Sequence, residues 1–108
     1  MNDEDTLMNR GKLVRDKIPQ IIMAAGKNPI TRILSQEEYL LELDKKLNEE
    51  IAEYQADKSL EEMADVLEVL FAICEARGHS VEELMKVRKE KKEARGGFEQ
   101  KIFWSGNE

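Results

Sequence analysis

The stretch NEEIAEYQADKSLEEMADVLEV, residues 48–69, decides how this chain is read. Glu49, Glu50 and Glu53 precede a break at Asp57-Lys58-Ser59, and Glu61, Glu62 and Asp65 follow it. Before the break, Leu40, Leu43, Leu47, Ile51 and Tyr54 keep helical spacing; after it, Met63, Leu67, Leu70, Phe71 and Cys74 do the same. Two helices joined by a short turn lie antiparallel, so residues equidistant from the turn come level. With Lys58 as the turn, Glu53 is level with Glu62 and Glu50 with Asp65. The two levels differ by about 4.5 Å of helix rise.

Four carboxylates this close repel one another unless a cation lies between them. Mg²⁺ suits such a set, because it takes oxygen ligands and keeps waters or substrate phosphates in its shell. A bound metal also lowers the pKa of a water and polarises a phosphoryl oxygen, which is how hydrolysis would start. Any one of these acids, taken alone, reads as solvated helix surface. Glu62 and Asp65, however, sit among Val66, Val69 and Ile73, and acids on the apolar side of a helix need a reason. At about 100° per residue, Glu50 lies roughly 60° from the centre of the first apolar stripe and Glu53 roughly 120°. Glu50 should be partly buried with Glu53 beside it. Glu49 should point away from that stripe, so Glu49 and Glu61 should lie behind the site's own acids or on the surface.

Outward toward the N-terminus, Ser35 and Glu38 form a capping box that opens the first of the two helices. Ile30 to Leu34 reads as a brief extended segment after the Asn28-Pro29 turn. Before it, Asp16 is placed to cap a short helix with Pro19 in its first turn and Gly26 at its close. Leu13-Val14 is a short apolar pair. Residues 1–10 are polar and aperiodic and read as a flexible N-terminal arm, leaving residues 11–108 as one helical domain.

Toward the C-terminus, Ser59 and Glu62 give a second capping box, for a helix running to Arg77 with Gly78 as its stop. That helix is apolar on two sides, Val66, Val69 and Ile73 making the second, so burial by another subunit is expected. Ser80 and Glu83 form a third box, opening a helix that ends basic before Gly96-Gly97. Arg88, Lys91 and Arg95 share one face of it, in clamp spacing for a phosphate tail. Arg15 and Lys17, beside a helix start, are further phosphate candidates. His79 reads as a turn residue and Cys74 as inert packing. Phe98, Ile102, Phe103 and Trp104 form a short C-terminal segment that should dock on a neighbouring helix.

The bulk numbers agree with a small helical protein. With 108 residues there is room for one modest core, which favours burial against a partner. Two prolines and six glycines leave long uninterrupted stretches. A single cysteine excludes an intrachain disulfide framework and fits a reducing, cytoplasmic setting. A net charge of −6 argues against nucleic-acid binding, and no apolar run approaches a membrane span. An acidic chain that takes a polyanion beside its carboxylates needs a metal between them.

EEIAE followed by EEMADVLEVL resembles the ExxE…ExxD signature of the all-α nucleoside triphosphate pyrophosphatases, the MazG-like group. KLVRDKIPQII, ILSQEEYL and ARGGFEQKIF resemble its phosphoribosyl-ATP pyrophosphohydrolase-like small-domain branch, and the likeness covers residues 12 to 103. The resemblance implies a four-helix, MazG-like bundle assembled as a dimer or tetramer. It also implies hydrolysis between the α and β phosphates of a nucleoside triphosphate, releasing a monophosphate and pyrophosphate. On matching positions Glu50, Glu53, Glu62 and Asp65 become ligands of Mg²⁺, with Mn²⁺ as a substitute, and Glu53 or Glu50 the proton acceptor. House-cleaning of nucleotides is one role this admits. Phosphoribosyl-ATP hydrolysis in histidine biosynthesis is the alternative, and a non-enzymatic helical interaction module is the reading from another class. The loop between Glu53 and Glu62 is short for the superfamily, which leaves little room there for reading a base.

Overall fold

The structure, a computed structural model, describes residues 11–108, so the expected arm over residues 1–10 lies outside it. The described chain is all-α, with four helices and no strand: α1 (Ile18–Ala24), α2 (Gln36–Asp57), α3 (Leu60–Ala76) and α4 (Val81–Arg95). The segments around residues 30–34 and 101–108 run without β pairing. No described helix is long and apolar enough to cross a membrane.

Three serines start three helices. Ser35, Ser59 and Ser80 each sit in extended backbone and accept from the amide three residues on. Glu38 and Glu83 return the bond and complete their capping boxes. Glu62 does not, so the box expected at Ser59 is only half made. Its carboxylate is turned toward other acids instead. The cap expected of Asp16 is not formed either. A turn closed by Ile18 N–H donating to the Arg15 carbonyl (3.0 Å) puts Lys17 at the boundary, and no side chain caps α1.

Helix ends follow the backbone chemistry. Gly78, at φ 89°, lets the chain leave α3 in the left-handed region, where a Cβ is unfavourable. The α2–α3 turn has no glycine, and Lys58 takes that conformation itself (φ 58°), its amide donating to the Tyr54 carbonyl at 2.7 Å.

α2 and α3 form an antiparallel hairpin and supply nearly all the helix–helix packing. Gln36 Nε2 donates to the Ala76 carbonyl (3.1 Å), tying the start of α2 to the end of α3. Among the described residues the buried apolar core is small: Leu43, 2% exposed, on α2, and Val69 on α3. Residues 13–17 cross this hairpin, and the half-buried Leu13 and Val14 line a cleft with Leu43, Val69 and Phe71. α4 touches α3 slightly and α2 not at all. Among the described residues, the docking expected of the C-terminal segment on a neighbouring helix therefore does not occur. α4 leads away from the hairpin, and Phe98, Ile102, Phe103 and Trp104 remain 74–97% exposed.

Candidate metal centre

The hairpin brings the four predicted carboxylates together. Oxygens of Glu50 on α2 and of Glu62 and Asp65 on α3 all lie within 4.8 Å of one another. Glu53 stands within 4.8 Å of Glu50. Glu50 is the buried member, 6% exposed beside the two-residue apolar core, as its place near the α2 stripe anticipates.

Two oxygens define what the cluster lacks. Glu50 Oε2 and Glu62 Oε2 are both out of contact with solvent and have no hydrogen-bond donor among the described residues. A buried acceptor without a partner is costly, and more so when charged. Burial accordingly raises the Glu50 pKa above the ordinary carboxylate value; Lys46 opposes the rise and neighbouring Glu53 adds to it. Burial likewise raises that of Glu62, reinforced by the charges of Asp65, Glu50 and Asp57. All the donor atoms are carboxylate oxygens, the hard set that Mg²⁺ or Mn²⁺ takes, and a divalent cation would satisfy both orphaned atoms.

Basic side chains reach the cluster from two directions. Arg15 Nη2 lies 2.6 Å from Asp65 Oδ1, placed there because residues 13–17 cross the hairpin. Lys46, one turn before Glu50, has its Nζ 3.2 Å from Glu50 Oε1 and 3.5 Å from Glu49 Oε2. Lys12 also meets Glu49, at 3.3 Å. Glu49 is thus not the outward-pointing acid expected. A helical wheel for α2 leaves out the crossing segment, and Lys12 and Lys46 draw Glu49 to within 4.8 Å of Glu50 and Glu53. Partial burial works to raise the Glu49 pKa, but the Lys12 hydrogen bond and the charges of Lys46 and Lys12 outweigh it and hold the carboxyl below its usual value.

The predicted phosphate residues separate into two groups. Arg15 and Lys17 line a cleft of about 430 Å³ together with Lys46, Glu50 and Asp65. Arg88, Lys91 and Arg95 line a different, open groove of about 880 Å³ with Gly96, Gly97 and Phe98. Within one subunit the basic face of α4 does not join the acidic cleft. His79 is exposed in the α3–α4 turn, its amide donating to the Cys74 carbonyl (3.0 Å), and the Cys74 thiol donates to the Ser80 carbonyl (3.2 Å). Lys46 is the residue that the sequence reading passed over. Its place four residues before Glu50 is the only cue, since it lies about 100° from the centre of the α2 apolar stripe.

No family model matches the chain, and no solved structure matches it. A relative from Mycolicibacterium smegmatis (strain ATCC 700084 / mc(2)155), described as an uncharacterized protein, is 53% identical over 45 residues. That alignment covers 42% of this chain and 46% of the relative, so the chain spans about half the length of that protein. The fold and the site define a small helical hairpin protein with an acidic centre between its two main helices.

Proposed function

We propose that the protein is a Mg²⁺-dependent nucleotide pyrophosphohydrolase of the MazG-like kind, cleaving nucleoside triphosphates between the α and β phosphates. The observation that carries this reading is the pair of orphaned, buried oxygens on Glu50 and Glu62 within a four-carboxylate cluster. An interaction module has no use for a desolvated acid pair between its helices.

Glu50, Glu62 and Asp65 would hold the ion, with Glu53 beside them. When bound, Mg²⁺ neutralises phosphate oxygens and makes a water acidic enough to attack phosphorus. Glu53, the most exposed of the four, takes the proton of the attacking water. Arg15 and Lys17, on the wall of the same cleft, pair with the phosphate chain of the substrate. The nucleoside monophosphate and pyrophosphate then leave. Cytoplasmic residence and assembly as a homodimer or dimer of dimers belong to the same proposal. A second subunit would cover the exposed apolar side of α3, and it is the route by which Arg88, Lys91 and Arg95 would come to face an acidic cleft.

The test is Mg²⁺-dependent pyrophosphate release over a panel of canonical and damaged nucleoside triphosphates, with phosphoribosyl-ATP included. Turnover on one or more is expected, with loss of at least about 100-fold in Glu50→Gln and Asp65→Asn at unchanged helicity. No turnover on any member, together with no Mg²⁺-induced rise in melting temperature, would sink the proposal. Turnover confined to phosphoribosyl-ATP would assign the biosynthetic alternative.

A further inference from the structure

We infer that Lys46 is a positioning residue for this centre, holding one oxygen of Glu50 so that the other is presented to Glu62 and Asp65. The inference rests on the metal-centre reading above.

The Lys46 side chain is only 16% exposed. A lysine that merely decorates a helix lays its stem on the protein and keeps its ammonium in water. This one directs its ammonium to Glu50 Oε1 at 3.2 Å and Glu49 Oε2 at 3.5 Å. Helix stabilisation does not account for it, since lysine before glutamate is the weaker order for an i, i+4 pair. What the contact does is break the symmetry of the Glu50 carboxylate. Oε1 has a charged donor, while Oε2, on a residue that is 94% buried, has none. A carboxylate with both oxygens free could turn about its terminal torsion; tied at Oε1, it offers Oε2 in a fixed direction. Lys46 and Arg15 together match two of the four carboxylates, so the cluster keeps the negative charge that a divalent cation needs.

Partners that orient a metal-binding carboxylate typically contribute about 10- to 100-fold in metal affinity. The experiment is titration of Mn²⁺ into the full chain, followed by electron paramagnetic resonance, for the unsubstituted protein, Lys46→Met and Lys46→Arg. Lys46→Met should bind Mn²⁺ at least about 10-fold more weakly, while Lys46→Arg, which keeps a charged donor, should stay within about 3-fold. Melting temperatures in chelator verify that each variant is folded. If Lys46→Met unfolds, Lys46→Gln makes the same comparison with a polar, uncharged side chain. Mn²⁺ binding by the uncharged variants as tight as that of the unsubstituted protein overturns the role of Lys46 and leaves the metal centre standing. Failure of the unsubstituted protein to bind Mn²⁺ overturns both.

Discussion

Glu50 and Glu62 are where single residues decide behaviour. Both have pKa values raised first by burial, and both therefore bind protons more tightly folded than unfolded. For such groups stability falls as pH rises from the ordinary carboxylate value through the raised one. Glu38, Glu49 and Glu83 are shifted the other way, so their contribution is lost only below the ordinary value and does not mask the effect. In chelator the protein should melt lower at about pH 7 than near the ordinary carboxylate value of 4.5. Glu50→Gln should flatten that slope and melt higher than the unsubstituted protein at the upper pH, and Mg²⁺ should lift the unsubstituted protein there but not the variant. Scanning calorimetry at the two pH values checks all three expectations. A profile that rises with pH in chelator would contradict the burial of these acids. The four-acid set was legible in the sequence because i, i+3 spacing and distance from a turn are local arithmetic. Lys12, Arg15 and Lys46 were not legible as its partners, because two of them arrive on a crossing segment that no periodicity announces and the third looks like one more surface lysine.

At the scale of elements, the serine caps were readable and the differences among them were not. Ser35, Ser59 and Ser80 all accept their amides, yet Glu62 leaves its box for the acidic cluster while Glu38 and Glu83 stay. Glu38→Ala should therefore destabilise, since it removes the return bond to Ser35 and the pairing with Arg32 at 2.9 Å. In chelator Glu62→Ala should cost no capping energy and should leave the protein as stable or more so, because it removes a desolvated acid. Ser59→Ala should cost about 1 kcal/mol, because the amide of Glu62 keeps no other partner. Urea denaturation of the three variants separates these outcomes. The α2–α3 turn gives an independent case. Lys58 holds a left-handed conformation that disfavours an L side chain by roughly 1–2 kcal/mol. It recovers part of this through its ammonium, 5.2 Å from the Tyr54 ring centroid and 2.6 Å from Gln55 Oε1. Those exposed contacts give back about 0.5–1 kcal/mol, so Lys58→Gly should be stabilising by about 0.5 kcal/mol. A loss of stability in that variant would mean that the side-chain contacts outweigh the backbone strain.

The whole molecule exposes more than a single small domain should. Its radius of gyration is 18.6 Å, where a compact chain of this length has about 13 Å. Its surface is 9824 Å², against roughly 6,200 Å² for a compact monomer of this mass. The excess is apolar in the places that matter. Met63, Leu67 and Leu70 face out from α3, and among the described residues the C-terminal aromatics stay largely exposed. The two apolar sides of α3 were visible as two stripes in the sequence, but a sequence cannot say which stripe meets α2. The structure gives Val69 to α2 and leaves the Met63–Leu67–Leu70 side uncovered. With so small a core, folding and association should be coupled, and the melting temperature should rise with protein concentration. Leu67→Glu puts a charge on the uncovered side without touching the acidic centre. It should shift sedimentation toward the monomer and lower the melting temperature, while an equally charged Ile33→Glu, at an exposed site before α2, should do neither. If the unsubstituted protein sediments as a stable monomer at about 10 μM with a concentration-independent melting temperature, the uncovered side of α3 is not an interface between copies. In that case Arg88, Lys91 and Arg95 have no route to an acidic cleft, and the phosphate chain would be held by Arg15 and Lys17 alone.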